Sequence, residues 1–180
     1  MNATSEAVAK ETTGDVDAPF DIEVIFRAQY RRISHVIARV VRDHARAEEL
    51  AVEVFLKFSR RPKAHGDKAE GWLYRTAVRM GLDELRRRER RSRYERLLGI
   101  GPRVLTPEEI HSATEEQNKV RLVLGMLPRR QSELLLLRSF DLSYAEVAAA
   151  LDLNPASIGT LTARAQKAFR KEYLKRYGNE

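Results

Sequence analysis

The stretch SYAEVAAALDLNPASIGTLTARAQKAF, residues 143–169, decides how the rest of the chain is read. Ser143 and Glu146 have the spacing of a capping box, which predicts a helix over YAEVAAAL. Asn154 is a good N-cap and Pro155 suits a first helical position, so a second helix is predicted to start there. Ala148 is small where two helices must cross closely, and Asp152, four residues on, tolerates the left-handed backbone of a tight turn. Ile158 follows six residues later on the inner face. This is helix-turn-helix spacing, with a predicted core of Val147, Leu151, Leu153, Ile158, Leu161 or Thr162, and Ala165. A structural hairpin that touches no nucleic acid shares that spacing.

The surrounding residues favour the nucleic-acid reading. Arg164, Lys167, Arg170, Lys171, Lys175 and Arg176 face a single acid, Glu172, on the last helix. Its first turns offer Ala156, Ser157, Gly159, Thr160 and Ala163, small or hydroxylic residues that let backbone approach a groove closely. Gly159 should cost about 1 kcal/mol against alanine in a helix. Clearance at a DNA-facing position is one reason to keep it; a plain surface glycine is the other.

Upstream, Thr114 with Gln117 can cap one helix and Pro128 opens another, PRRQSELLLLRSF. Before these lies LLGIGPRVLTPEEIHSATEEQ, rich in Gly and Pro, with four glutamates and no Lys or Arg between positions 104 and 118. It reads as a flexible acidic linker.

The first part of the chain is also helical by pattern. Phe26, Tyr30, Ile33, Ile37, Val40 and Val41 share one face, and Leu50, Ala51, Val54, Phe55 and Phe58 form a second stripe ending before Pro62. Asp67 and Glu70 are spaced as a capping box for a third helix, EGWLYRTAVRMGLDELRRRERRSRYERL. Strand-like alternation is absent. The predicted fold is all-α: an acidic tail over residues 1–19, a helical domain over 20–97, a linker over 98–113 and a second helical domain over 114–177.

Two surfaces of the first domain suggest chemistry. Residues 86–96 hold seven arginines and two glutamates, preceded on the same helix by Trp72, Tyr74, Arg75 and Arg79. Rings interleaved with guanidinium groups suit melted nucleic acid, because bases stack on the rings while cations hold phosphates. Core packing is the other reading of Trp72. On the second helix, Glu48, Glu49 and Glu53 fringe Val52 and Leu56, an apolar strip suited to a basic protein partner.

Composition bounds the alternatives. A net charge of +7 favours an anionic partner, and the lack of cysteine excludes disulfides, thiolate metal sites and thiol nucleophiles. His35, His44, His65 and His111 are scattered without metal-ligand spacing, no phosphate loop occurs, and no nucleophile sits beside a base in any motif. An enzyme is not indicated, nor is a cofactor or metal. No apolar run reaches membrane-span length and no signal pattern opens the chain, so a soluble cytoplasmic protein is expected.

Together the segments resemble a bacterial sigma factor of the extracytoplasmic-function class, over about residues 26–169. AEELAVEVFLKF is similar to the family's region-two helix that grips the clamp helices of the polymerase beta-prime subunit; the resemblance assigns Glu48, Glu49, Val52, Glu53 and Leu56 to that contact. GWLYRTAVRMGLDELRRRERR looks like the segment that opens and reads the −10 element, implying roles for Trp72, Tyr74, Arg75, Arg79, Met80, Arg86, Arg87, Arg88, Arg90 and Arg91. Met80 stands where the family often has an asparagine that captures a flipped base, so it would be a wall rather than a reader. LPRRQSELLLLRSFDLSYAEVAAALDLNPASI resembles region four, which binds the beta flap and the −35 element. Its implied DNA contacts are Arg130, Tyr144, Asn154, Ser157, Gly159, Thr160, Arg164 and Lys167. The family's usual glycine-threonine-valine run maps onto Ala156, Ser157 and Ile158, so the literal IGT triplet is three residues out of register. Such factors work on core RNA polymerase and promoter DNA and are usually restrained by an anti-sigma protein. A stand-alone helix-turn-helix repressor is the rival reading; it explains the second domain but neither the basic aromatic helix nor the linker.

Overall fold

The computed structural model describes residues 21–99 and 115–178, and all regular structure there is helical. Seven α-helices are described: α1 Ile22–Val41, α2 His44–Ser59, α3 Ala69–Leu97, α4 Glu115–Met126, α5 Arg129–Arg138, α6 Tyr144–Leu151 and α7 Pro155–Tyr177, with a 3-10 turn at Pro62–Ala64. Three expectations lie outside the described residues: the acidic tail, the linker over 100–113 and the Thr114 cap.

Helices α1, α2 and α3 form the first group. The Asp21 carboxylate caps α1 by accepting from the Glu23 and Val24 amides, and α1 ends where Arg42 turns left-handed at φ 54°. Asp43 at once caps α2, accepting from the Arg46 amide. This tight joint folds α2 back on α1. The predicted stripes meet between them: Ile33, Ile37, Val40 and Val41 from α1, and Leu50, Ala51, Val54, Phe55 and Phe58 from α2, are all buried. Phe26 and Tyr30 stack 4.8 Å apart, and Phe26 sets its edge on Phe55 at 4.9 Å. Gly81 lets α3 lie close to α1, since a Cβ there would stand 3.2 Å from Val40.

The start of α3 departs from the sequence reading. No side chain caps it, and Glu70 turns away to an ion pair with Arg32 at 3.1 Å. Gly66, at φ 83°, makes the turn that launches the helix, so the Asp67–Glu70 box is not needed.

The second group, α4 to α7, follows its punctuation closely. Ser132 donates from its hydroxyl to the Leu124 carbonyl at 2.7 Å, tying α5 to α4. The Ser143–Glu146 capping box forms, Asp152 is left-handed at φ 55°, and Asn154 accepts from the Ala156 amide at 2.9 Å. Val147, Ala148, Leu151, Ile158 and Ala165 are buried, while Leu153 and Leu161 pack against them half-buried. At α7 the reading also falls short in length: the last helix runs 23 residues.

The sequence reading expects two bodies held apart by a linker. In the structure they touch: α3 packs against α4, α5 and α6 as well as against α1 and α2. Gly71 of α3 meets α6 so closely that a Cβ would stand 3.3 Å from the Ala150 backbone. Among the described residues, no helix is long and apolar enough to cross a membrane.

Candidate nucleic-acid and polymerase interfaces

Three surfaces carry the candidate residues. On α2, the core-facing stripe leaves the opposite side free, and Glu48, Glu49, Val52, Glu53 and Leu56 all lie exposed there. Val52 and Leu56, one turn apart, are 42% and 50% exposed, large apolar side chains open to solvent beside three carboxylates. Glu49 also pairs with Arg46 at 2.6 Å.

The α3 candidates divide into two sets. Trp72 is half-buried with its ring 5.5 Å from Phe58, and Tyr74 is 4% exposed with the Arg32 guanidinium 5.5 Å from its ring. Core packing therefore accounts for Trp72 as it stands. Burial pushes the Tyr74 hydroxyl pKa above the ordinary tyrosine value. Arg79 donates from Nε to Glu133 Oε1 at 2.7 Å and from Nη2 to Oε2 at 3.4 Å, a two-pronged pair with a nearly inaccessible carboxylate. Arg86 donates to the carbonyls of Gly125 at 2.9 Å and Leu127 at 3.1 Å. Arg75 is half-buried, its Nε without an acceptor, and burial followed by the Arg79 charge lowers its pKa. These are the corrections to the predicted open face: in this conformation Tyr74, Arg75, Arg79 and Arg86 are turned to protein. Met80 is half-buried, with its sulfur 3.5 Å from Lys57 Nζ.

The second set points outward. Arg87, Arg90 and Arg91 are exposed, Arg91 pairing with Glu95 at 2.9 Å. Arg88 bonds to Asp43 at 2.8 Å and Glu84 at 3.3 Å. Glu84, 8% exposed, also meets Arg46 and Arg87. Burial alone would raise its pKa, but the hydrogen bonds and charges of Arg46 and Arg88 outweigh that and hold it below the usual carboxylate value. Glu84 and Glu133 were not singled out from sequence. A signal existed: Glu84 continues the Ala77–Gly81 stripe, and Glu133 shares a face with Leu136 and Leu137.

The helix-turn-helix presents its own face. Asn154, Thr160, Arg164 and Lys167 are exposed and Ser157 is half-buried. Arg164 and Lys167 have no ion pair among the described residues. Arg130 is exposed and reaches the Leu151 carbonyl at 3.5 Å. Tyr144, 47% exposed, carries the Arg138 guanidinium 4.8 Å from its ring. Gly159 faces this tyrosine, since a Cβ there would lie 3.6 Å from Tyr144 Cε2.

Between the two helical groups lies an apolar groove of about 1230 Å³, lined by α1, α3, α4, α5 and α7. Arg42 and Arg121 both reach it, and neither has an ion pair among the described residues. Burial, then the Arg42 charge, brings the Arg121 pKa down to about 10. No cluster of metal-ligating residues occurs among the described residues.

Comparison with known proteins identifies both groups. The family described as Sigma-70 region 2 matches residues 25–91, and the family described as Sigma-70, region 4 matches residues 117–169. The ECF RNA polymerase sigma factor SigE of Mycolicibacterium smegmatis is 25% identical over 178 residues, covering 94% of this chain and 68% of that protein. A solved structure of the sigma factor RpoE in complex with the anti-sigma factor NepR, from Bartonella quintana, aligns with a TM-score of 0.47 and 18% identity. That alignment covers 84% of this chain and 96% of the other.

Proposed function

The chain belongs to the sigma-70 family and is an RNA polymerase sigma factor, and from that premise we propose how its surfaces divide the work of promoter recognition. The exposed acid-fringed strip of α2 docks on core polymerase, at the beta-prime clamp helices. Val52 and Leu56 supply the apolar contact there, and Glu48, Glu49 and Glu53 meet basic residues. The α3 stripe takes the melted −10 strand: Arg75, Arg79, Arg86, Arg87, Arg88, Arg90 and Arg91 hold phosphates, Trp72 and Tyr74 offer ring faces, and Met80 walls the site. The start of α7 enters the major groove upstream, where Ser157, Thr160 and Arg164 meet base edges. Asn154, Lys167, Arg130 and Tyr144 fix its position on the backbone, and the second group also meets the beta flap. The protein performs no bond-making chemistry; unpaired bases captured on α3 stabilise the melted state.

The observation that supports this reading best is one of arrangement. Free cations on α7 and a basic aromatic stripe on α3 stand on separate helical groups, while the acidic apolar strip occupies a third face. A repressor that acts alone has no use for that third face. The groove with its unpaired Arg42 and Arg121 is where we place an anti-sigma protein, an acid-bearing helix being the chemistry that fits it. The protein operates in the cytoplasm, where its polymerase and promoter are.

Run-off transcription reconstituted with bacterial core polymerase on a genomic promoter library tests the whole. Specific transcripts are expected with the wild-type chain. Glu49→Lys with Glu53→Lys should lower them at least tenfold, with a matching loss of core in a pull-down. Unchanged core affinity removes α2 from the interface, and no transcripts or core binding at all returns the repressor reading.

A further inference from the structure

The arginines assigned to −10 phosphates already hold anionic groups of their own chain. Arg79 grips both oxygens of Glu133, the same two-pronged geometry that a phosphate offers. Arg86 takes the carbonyls of Gly125 and Leu127, at the end of α4 where unpaired carbonyls gather partial negative charge. Around these contacts, Arg129 pairs with Asp83 at 2.5 Å, Arg39 of α1 lies 4.9 Å from the Phe140 ring, and Gly71 abuts the Ala150 backbone. Tyr74 is sealed beneath.

We infer that the free chain inhibits itself: α4, α5 and α6 lie over α3 as a substitute for DNA. Glu133 and the two carbonyls occupy guanidinium groups that phosphates take once the halves part. The inference rests on the assignment of α3 to the −10 strand. Closure is not fully satisfying for the protein, because Arg75 Nε is buried without an acceptor. That imperfection keeps the closed form dislodgeable by polymerase and promoter, which offer phosphates to the same groups. The latch is thus a competition between two anions for one set of cations, and Glu133 is its central residue.

The chain has no cysteine, so dyes can be placed at Lys63→Cys and Lys171→Cys, exposed sites on opposite groups, for single-molecule energy transfer on the full-length protein. A compact population is expected for the wild type. Glu133→Arg should shift it to lower transfer by charge repulsion, and Gly71→Leu should do so by wedging α3 from α6 without touching a charge. Combining Glu133→Arg with Arg79→Glu should restore the compact population. Where Glu133→Arg loses helicity in far-ultraviolet circular dichroism, Gly71→Leu decides the question. Affinity for a labelled oligo(dT) of about 20 nucleotides should rise about tenfold on opening if closed chains outnumber open ones about ten to one. An extended wild type, or variants that leave the transfer unchanged, overturns the latch while the promoter reading stands. Opening without a gain in oligonucleotide affinity overturns the masking. If the opened chain gains affinity yet keeps it after Arg79→Ala and Arg86→Ala, the assignment of α3 to DNA has failed, and the masking claim fails with it.

Discussion

Replacing Gly159 with alanine adds one methyl in the second turn of α7, and its consequence can be worked out atom by atom. The new Cβ would lie 3.6 Å from Tyr144 Cε2 and 3.8 Å from the hydroxyl oxygen, ordinary van der Waals distances, with no other atom beyond its own helix within 4 Å. Nothing has to move. Helix propensity then favours alanine by about 0.8–1 kcal/mol, and partial burial of the methyl against the ring adds a few tenths at roughly 25 cal/mol per Å². About 1 kcal/mol raises the melting temperature of a chain this size by about 2–4 °C. Thermal unfolding followed by circular dichroism reads that directly, and a lower melting temperature would refute the packing argument. A duplex titration with the promoter's −35 element provides the second readout. Because the methyl points toward Tyr144, affinity should stay within about twofold. A tenfold loss would establish instead that DNA needs bare backbone at this position, the reason for the glycine that the sequence suggests.

Arg164→Ala removes an exposed cation with no partner in its own chain, so stability should hold while −35 duplex affinity falls by about 1–3 kcal/mol. Loss of core-polymerase binding instead would contradict its role. Glu84→Ala leaves Arg46 and Arg88 around an empty, largely buried position and should cost about 2 kcal/mol in chemical denaturation, less than for a fully buried pair because both arginines reach solvent. The native Glu84 pKa lies below its unfolded value. Its contribution is therefore complete above the ordinary carboxylate range and is lost as pH falls through the native value. Wild-type melting temperature should accordingly drop more steeply than that of Glu84→Gln below about pH 4.5. Parallel curves would show that the carboxylate is not held by its arginines.

Much of this architecture is legible in the order of residues, because each local signal has a local cause. Periodicity at three and four residues found the buried faces of α1 and α2, since burial on a helix obeys the helix's own geometry. The Ser143 box, the Asn154 cap and the left-handed Asp152 form as read, because each is closed within a few residues. The Asp67–Glu70 box failed where a distant residue intervened: Arg32 competes for Glu70 across 38 positions. Contact between the halves was invisible for the same reason. Gly71 and Ala150 are small residues on separate helices, and nothing in either stretch says that the other will lie against it. Glu133 reads as a surface acid until Arg79 is placed beside it.

The cations of α3 are where fold and function meet. A helix with arginines on much of its surface gains little by exposing them all, because each long side chain is already well solvated and any surface ion pair contributes about 0–1 kcal/mol. Setting some of them against Glu133 and the carbonyls that close α4 converts that weak solvation into defined contacts. The same groups are the ones a phosphodiester strand would bind, so folding contacts and nucleic-acid contacts draw on one set of donors and cannot both be complete. Any change that strengthens the internal set must weaken the external one by linkage, whatever its effect on stability. A variant that tightens the Arg79–Glu133 pair should therefore melt higher and bind −10 DNA less well, whereas under independent folding and recognition the two quantities would vary freely. Measured across a series at Glu133 and Asp83, an inverse correlation is expected, and its absence would separate the stability of α3 from its task.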